Sequence, residues 1–91
     1  MYLHLGQDTV VNTDEIIGIF DLDTSTVSKA TRDYLTNAEK SGRAITVSYE
    51  LPKSFIVCNE KENGIRVYIS QISSATLLKR SKNGGGIYNI K

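Results

Sequence analysis

Two β-rich segments separated by a short polar loop constrain the fold of this chain most. Residues 54–58 and 65–70 are rich in Ile, Val, Phe and Tyr, which favour strands. The loop between them, residues 59–64, is polar and ends in Asn-Gly, a pair typical of tight turns. The order of strand, turn and strand predicts an antiparallel hairpin.

The second strand of this hairpin alternates in polarity. Ile65, Val67 and Ile69 point to one face of a pleated strand, and Arg66, Tyr68 and Ser70 point to the other. We therefore expect one face of the hairpin to form core and the other to be polar or interfacial.

Four further strands are predicted before and after a helix. Residues 2–6 alternate around Leu3 and Leu5, and residues 9–11 favour a strand before a capped turn. Residues 16–22 are apolar on nearly both faces, which predicts a central strand, and Gly18 within them predicts a bulge or a close approach. Residues 45–49 alternate again, and this strand is expected to end at the proline at position 52.

Two helices are predicted from the change of period to about 3.6 residues. The first spans about residues 26–41, with Ser28 among its capping hydroxyls and Gly42 at its end. The second is short, is capped by Ser73 or Ser74, and ends near Ser81. Of the adjacent Leu77 and Leu78 only one can occupy the centre of a core stripe, so the other is expected to meet another subunit.

The predicted fold class is therefore α+β, a small, mostly antiparallel β-sheet with one amphipathic helix and a short C-terminal helix. Residues 1–81 are expected to form a single domain, followed by a flexible Gly-rich tail at 82–91. A chain of 91 residues has a thin core, which favours a homo-oligomer. No apolar run reaches the about 18 residues of a membrane span, and with a single cysteine the chain is expected to be cytoplasmic.

Charge is distributed unevenly, although the net charge is only +1. Residues 1–28 contain five acidic side chains and no Lys or Arg, whereas residues 63–91 contain five basic side chains and no Asp or Glu. Such a chain can pair its ends between subunits, or its basic end can bind an anion such as nucleic acid. Lys79 and Arg80 also have a purely structural explanation, because cations are favoured near a helix C-terminus.

Little in the sequence predicts catalysis. His4 has no second histidine or cysteine pair to complete a metal site, and Cys58 within a strand is expected to be a small buried side chain. We therefore predict that the chain is not an enzyme, and we expect no metal, no cofactor and no small-molecule substrate.

Five stretches of the sequence resemble the extracellular matrix regulatory proteins of the RemA/RemB family, most closely its RemB-like branch. They are His4-Leu5-Gly6, residues 11–17, Asp21, Pro52-Lys53-Ser54-Phe55 and residues 67–80. The resemblance implies a bacterial, cytoplasmic regulator of biofilm matrix genes with a fold similar to LytTR domains. It also implies ring-shaped homo-oligomers that bind double-stranded DNA.

The resemblance places DNA-binding arginines of RemA-type members where this chain has Asp14-Glu15 and Leu51-Pro52. The alternative is therefore a structural or protein-interaction ring module without direct DNA contact. If the chain binds DNA, the candidates for phosphate contact are other cations of the chain: Lys53, Arg66, Lys79, Arg80 and Lys82.

Overall fold

A computed structural model describes residues 1–22 and 28–82 of the chain. These described residues form six strands, two α-helices and one short 3-10 turn over Thr13–Glu15. The strands and helices are β1 (Tyr2–Gly6), β2 (Thr9–Asn12), β3 (Ile16–Asp21), α1 (Lys29–Lys40), β4 (Ala44–Thr46), β5 (Ser54–Glu60), β6 (Gly64–Ser70) and α2 (Ser74–Lys82). The α+β class is confirmed. The predicted tail lies outside the described residues from position 83 onward.

The strands form a β1-β2 hairpin and a four-stranded sheet with the order β3-β5-β6-β4. The predicted hairpin is confirmed as β5-β6, in which Phe55 lies opposite Ile69 and Val57 opposite Val67. Strand β4 is parallel to β6, and β3 is antiparallel to β5. Strands β3 and β4 therefore run in the same direction at opposite edges of the sheet. A tight turn cannot join two such strands, and α1 lies between them in the chain.

The central sheet is covered on both faces. On one face, the β1-β2 hairpin and α2 enclose a core that includes Leu3, Leu5, Ile56 and Leu77. On the other face, Ala38 of α1 packs with Phe55, Val57 and Val67. This arrangement contradicts the expectation that one face of the second hairpin strand is polar or interfacial, because Tyr68 and Ser70 are buried on the first face.

Strand β3 is an edge strand, so its prediction as a central strand was wrong. Its only partner in the sheet as described is β5, and the exposed fractions of Ile17 and Phe20 are 61% and 44%. The register shifts between Ile16 and Gly18, which confirms the predicted bulge. The ring of Phe20 lies where a Cβ on Gly18 would be, and it stacks on Phe55 with 4.9 Å between ring centroids.

Helix α1 is capped as predicted and covers less of the sheet than its periodicity suggested. The Oγ of Ser28 accepts a hydrogen bond from the backbone N–H of Thr31 at 3.1 Å, and Gly42 follows the helix with φ of +76°. Ala38 is the only residue of α1 that is fully buried. The predicted strand at 45–49 is shorter than expected, since β4 ends at Thr46.

Candidate functional site

Helix α2 carries three of the five predicted phosphate contacts, and its start is fixed to the sheet. The Oγ of Ser73 accepts from the backbone N–H of Thr76 at 3.2 Å, which confirms the predicted cap. The buried Ser54 donates from its Oγ to the carbonyl oxygen of Ile72 at 2.7 Å. Leu77 is completely buried in the core beneath the helix. These contacts fix which face of α2 points to solvent.

The exposed face of α2 combines two lysines with one leucine. Its residues recur at the i, i+3, i+4 and i+7 spacing of one helical face, and all of them are exposed: Ala75, Leu78, Lys79 and Lys82. We call this set the α2 face. Leu78 is 43% exposed, so the prediction that only one of the two adjacent leucines enters the core is confirmed.

Arg80 lies beside the α2 face rather than on it. It is three residues from the buried Leu77 and is itself half-buried. Lys79 and Lys82 are therefore the two basic side chains of α2 that are most accessible to a large anion.

Lys53 lies at the end of the sheet where α2 begins. Its backbone N–H donates to the carbonyl oxygen of Ser70 at 2.8 Å, and its own carbonyl accepts from Leu22 at 2.9 Å. The side chain of Lys53 is exposed. Lys79 and Lys82 are near the other end of α2, about 8 to 12 Å along the helix axis from its first residue. Lys53 therefore lies near the start of α2, whereas Lys79 and Lys82 lie near its end.

Arg66 is only partly accessible and is paired with a carboxylate. Its Nε lies 3.9 Å from Oε1 of Glu60, and its side chain is 36% exposed. Glu60 also accepts hydrogen bonds from the hydroxyl of Tyr68 and, at 2.9 Å, from the side-chain amide of Asn63. Burial and the hydrogen bond to Glu60 raise the pKa of Tyr68 above its ordinary value, so the hydroxyl remains a donor. Arg66 therefore belongs to a polar network of the hairpin.

Acidic side chains gather at the turn of the β5-β6 hairpin. Glu15, Glu60 and Glu62 line a shallow cavity of about 220 Å³ together with Lys61 and Asn63. The backbone N–H of Lys61 donates to Oε2 of Glu15 at 3.2 Å, which ties the 3-10 turn to the hairpin. Among the described residues, none of these carboxylates forms an ion pair with Lys79 or Lys82.

His4 and Cys58 have structural contacts. The Nε2 of His4 donates to the backbone oxygen of Gln7 at 2.6 Å, and Cys58 is completely buried. Burial, and to a lesser extent the charges of Glu60 and Glu15, raise the pKa of the Cys58 thiol to about 12. The geometry therefore disfavours a thiolate at Cys58.

Cys58 should be unreactive toward a disulfide reagent such as Ellman's reagent while the protein is folded. The reagent attacks through the thiolate and needs access to the sulfur, and the folded chain offers neither. Labelling in buffer at pH 8 should be slow and should become fast in denaturing urea. Fast labelling of the folded protein would contradict the burial of this strand.

The same thiol should make the free energy of unfolding depend on pH in alkaline solution. The unfolded thiol loses its proton near pH 9.0 and the folded one near 12, so the folded state binds more protons between these values. Stability should fall as the pH rises through this interval. Urea titrations of the chain and of Cys58→Ala measure the difference, since the variant lacks the thiol.

The described residues contain no group of three or more His, Cys, Asp or Glu side chains placed to hold a metal ion. Among the same residues, neither helix has the length and apolar character needed to cross a membrane.

Comparison with known proteins agrees with the resemblance read from the sequence. The family model described as extracellular matrix regulatory protein A-like matches residues 2–80. Extracellular matrix regulatory protein B of Bacillus subtilis (strain 168) is 34% identical over 82 residues, which cover 90% of this chain and 91% of that protein. The chain therefore belongs to the RemA-like family of extracellular matrix regulatory proteins.

Proposed function

We propose that this protein is a cytoplasmic regulator of biofilm matrix genes that binds double-stranded DNA as a homo-oligomeric ring. The observation that carries the proposal is the α2 face, where Lys79 and Lys82 are exposed on neighbouring positions of a helix held by the core. Lysine ammonium groups on such a face contact phosphates without needing a particular base sequence. The names of the related proteins support a regulatory role.

Assembly strengthens this proposal because one copy offers few contacts. Two lysines give weak binding, whereas linked copies bring the same pair to DNA several times. A heterologous contact that closes on itself produces a ring. Leu78, on the same face as the two lysines, is available for an apolar contact with DNA sugars or with a neighbouring copy.

The second candidate is a ring module that binds other proteins and not DNA. The loop between β4 and β5 favours it, because Tyr49 is 99% exposed and Leu51 is 76% exposed where a DNA-binding surface would carry cations. Exposed aromatic and aliphatic side chains are typical of protein interfaces.

Reversing the two lysines of the α2 face should weaken DNA binding and reduce its dependence on salt. In fluorescence-anisotropy titrations with a labelled duplex, Lys79→Glu with Lys82→Glu should lower the slope of log K against log salt by about 0.9 for each phosphate that the variant no longer neutralises. The matched control reverses the charges of two other exposed lysines by Lys40→Glu with Lys61→Glu. Lys40 lies on α1 and Lys61 in the hairpin turn. The control has the same net charge and should keep the slope.

Equal reductions in both double variants would show that only net charge matters, and the α2 face would then not be the binding surface. Absence of binding by the unaltered chain at low salt would favour the interaction module. Since glutamates near a helix C-terminus cost about 0.3 to 1 kcal/mol each, circular dichroism should confirm that α2 is retained. A Lys79→Gln and Lys82→Gln variant removes the charges without this repulsion.

A further inference from the structure

An apolar groove lies between α1 and the four-stranded sheet. Its volume is about 370 Å³, and its described lining includes side chains from β3, β5 and α1: Ile17, Phe20, Phe55, Val57, Ala30 and Tyr34. Ile17, Phe20 and Tyr34 are exposed by 61%, 44% and 36%. The ring of Phe20 stacks on Phe55 and lies close to the backbone because Gly18 has no side chain. The groove therefore presents a concave apolar surface to solvent.

The connection between β4 and β5 presents apolar side chains on a protrusion. Tyr49 is 99% exposed and Leu51 is 76% exposed, and we call these residues with Glu50 the 49–51 loop. A tyrosine exposed to this degree has almost no side-chain contact with the part of its own chain that the structure describes. Burying an aromatic side chain removes about 150 to 250 Å² from water, so Tyr49 is a large apolar anchor without a pocket.

The 49–51 loop is held by hydrogen bonds on both sides. Before its apex, the Oγ of the buried Ser48 accepts from the backbone N–H of Glu50 at 3.1 Å. After it, Pro52 restricts the backbone, and the N–H of Lys53 donates to the carbonyl oxygen of Ser70 at 2.8 Å. A loop that is already ordered loses little conformational freedom when it binds, which favours its use as a rigid contact.

The groove and the 49–51 loop together hold five of the nine large apolar side chains that are exposed in the described part of the chain. One surface is concave and the other convex, and both are apolar. Two different surfaces of one chain meet between copies in a head-to-tail contact, which repeats from copy to copy and closes into a ring where the rotation allows. A foreign partner would cover one of the two surfaces, whereas a second copy covers both.

We propose that the 49–51 loop of one copy inserts into the groove of the next, with Tyr49 packed against Phe20 as the anchor. An aromatic side chain that enters a pocket is typical of the residues that dominate binding between proteins. The inference rests on the homo-oligomer of the proposed function and names the contact that builds it. It is independent of DNA binding, because it uses side chains of the groove and the loop and not the lysines of α2.

A single tryptophan in the loop tests the contact in the full chain. The sequence contains no Trp, so Tyr49→Trp introduces the only indole, at a position where the folded chain tolerates it. In the assembled protein we expect blue-shifted emission that is shielded from acrylamide, and dilution to single chains should shift the emission to the red. Adding Ile17→Asp should expose the indole at every concentration, whereas Val10→Asp, at a residue 53% exposed on β2, should leave the shielding unchanged.

Light scattering on the same samples separates the possible failures. An exposed indole in an assembled Tyr49→Trp protein would overturn the loop contact and leave the homo-oligomer standing. A protein that remains a single chain at every concentration would overturn both the contact and the proposed ring. Shielding that persists in single chains would also overturn the contact between copies, because the loop would then lie against its own chain.

Mixing two defective variants tests the head-to-tail geometry. Tyr49→Asp with Leu51→Asp keeps an intact groove, and Ile17→Asp keeps an intact loop; circular dichroism should show that both remain folded. Each variant alone should have the mass of one chain, and a 1:1 mixture should form pairs and nothing larger, because only one intact loop and one intact groove can meet. Larger assemblies of either variant alone, or no pairs in the mixture at concentrations where the unaltered chain assembles, would overturn the proposal.

Discussion

Replacing Leu77 by alanine is expected to lower the free energy of unfolding by about 2 to 5 kcal/mol. Leu77 is the one residue of α2 that is completely buried, and it packs in the same core as Leu3, Leu5 and Ile56. Truncation removes apolar contact and leaves a cavity that the β1-β2 hairpin and the sheet cannot easily fill. Urea denaturation followed by circular dichroism measures the decrease.

The adjacent leucine provides a matched control for this substitution. Leu78 is 43% exposed, so Leu78→Ala should cost less than about 1 kcal/mol in the isolated chain. If both variants were destabilised equally, the orientation of α2 on the sheet would be wrong, and with it the assignment of Lys79 and Lys82 to the exposed face. A larger effect of Leu78→Ala on assembly than on stability would place this side chain in a subunit interface.

The hairpin and the helix caps were predictable from sequence because they are local. Strands β5 and β6 are separated by three residues in the structure, so alternation and the Asn-Gly turn signal fix their pairing. In the caps at Ser28 and Ser73, the serine hydroxyl accepts a hydrogen bond from the backbone N–H three residues later in the chain. In both cases the interacting groups are near neighbours in the chain.

The position of β3 and the burial of Tyr68 were not predictable in the same way. The apolar character of residues 16–22 indicates burial, but whether a strand is central depends on which strand is inserted beside it. Here the β5-β6 hairpin fills the space between β3 and β4. Tyr68 is buried because a second layer, made by the distant β1-β2 hairpin and α2, covers its face.

The candidate site also divides into local features that the sequence predicts and features that depend on distant segments. Helical spacing alone groups Lys79 with Lys82 and separates Arg80 from them. The partial pairing of Arg66 with Glu60 depends on the hairpin register, in which Cys58 lies opposite Arg66 and Glu60 is the next residue on that face. The close approach of the Phe20 ring to the backbone had one signal in the sequence, the glycine at position 18, where a Cβ would collide with that ring.

Raising the salt concentration from about 50 to 200 mM is expected to weaken DNA binding by about 10³-fold if the assembled protein contacts DNA through neighbouring α2 faces. Two lysines from each of three copies give about six phosphate contacts and a slope near −5, whereas a single copy with two contacts is weakened only about tenfold. Equilibrium titrations over this range, with light scattering to verify that the assembly persists, separate the two cases. A tenfold decrease would mean that copies bind singly, and an affinity independent of salt would exclude phosphate contact by Lys79 and Lys82. The salt dependence therefore reports how many subunits bind the duplex at once, a number that is set by the symmetry of the assembly.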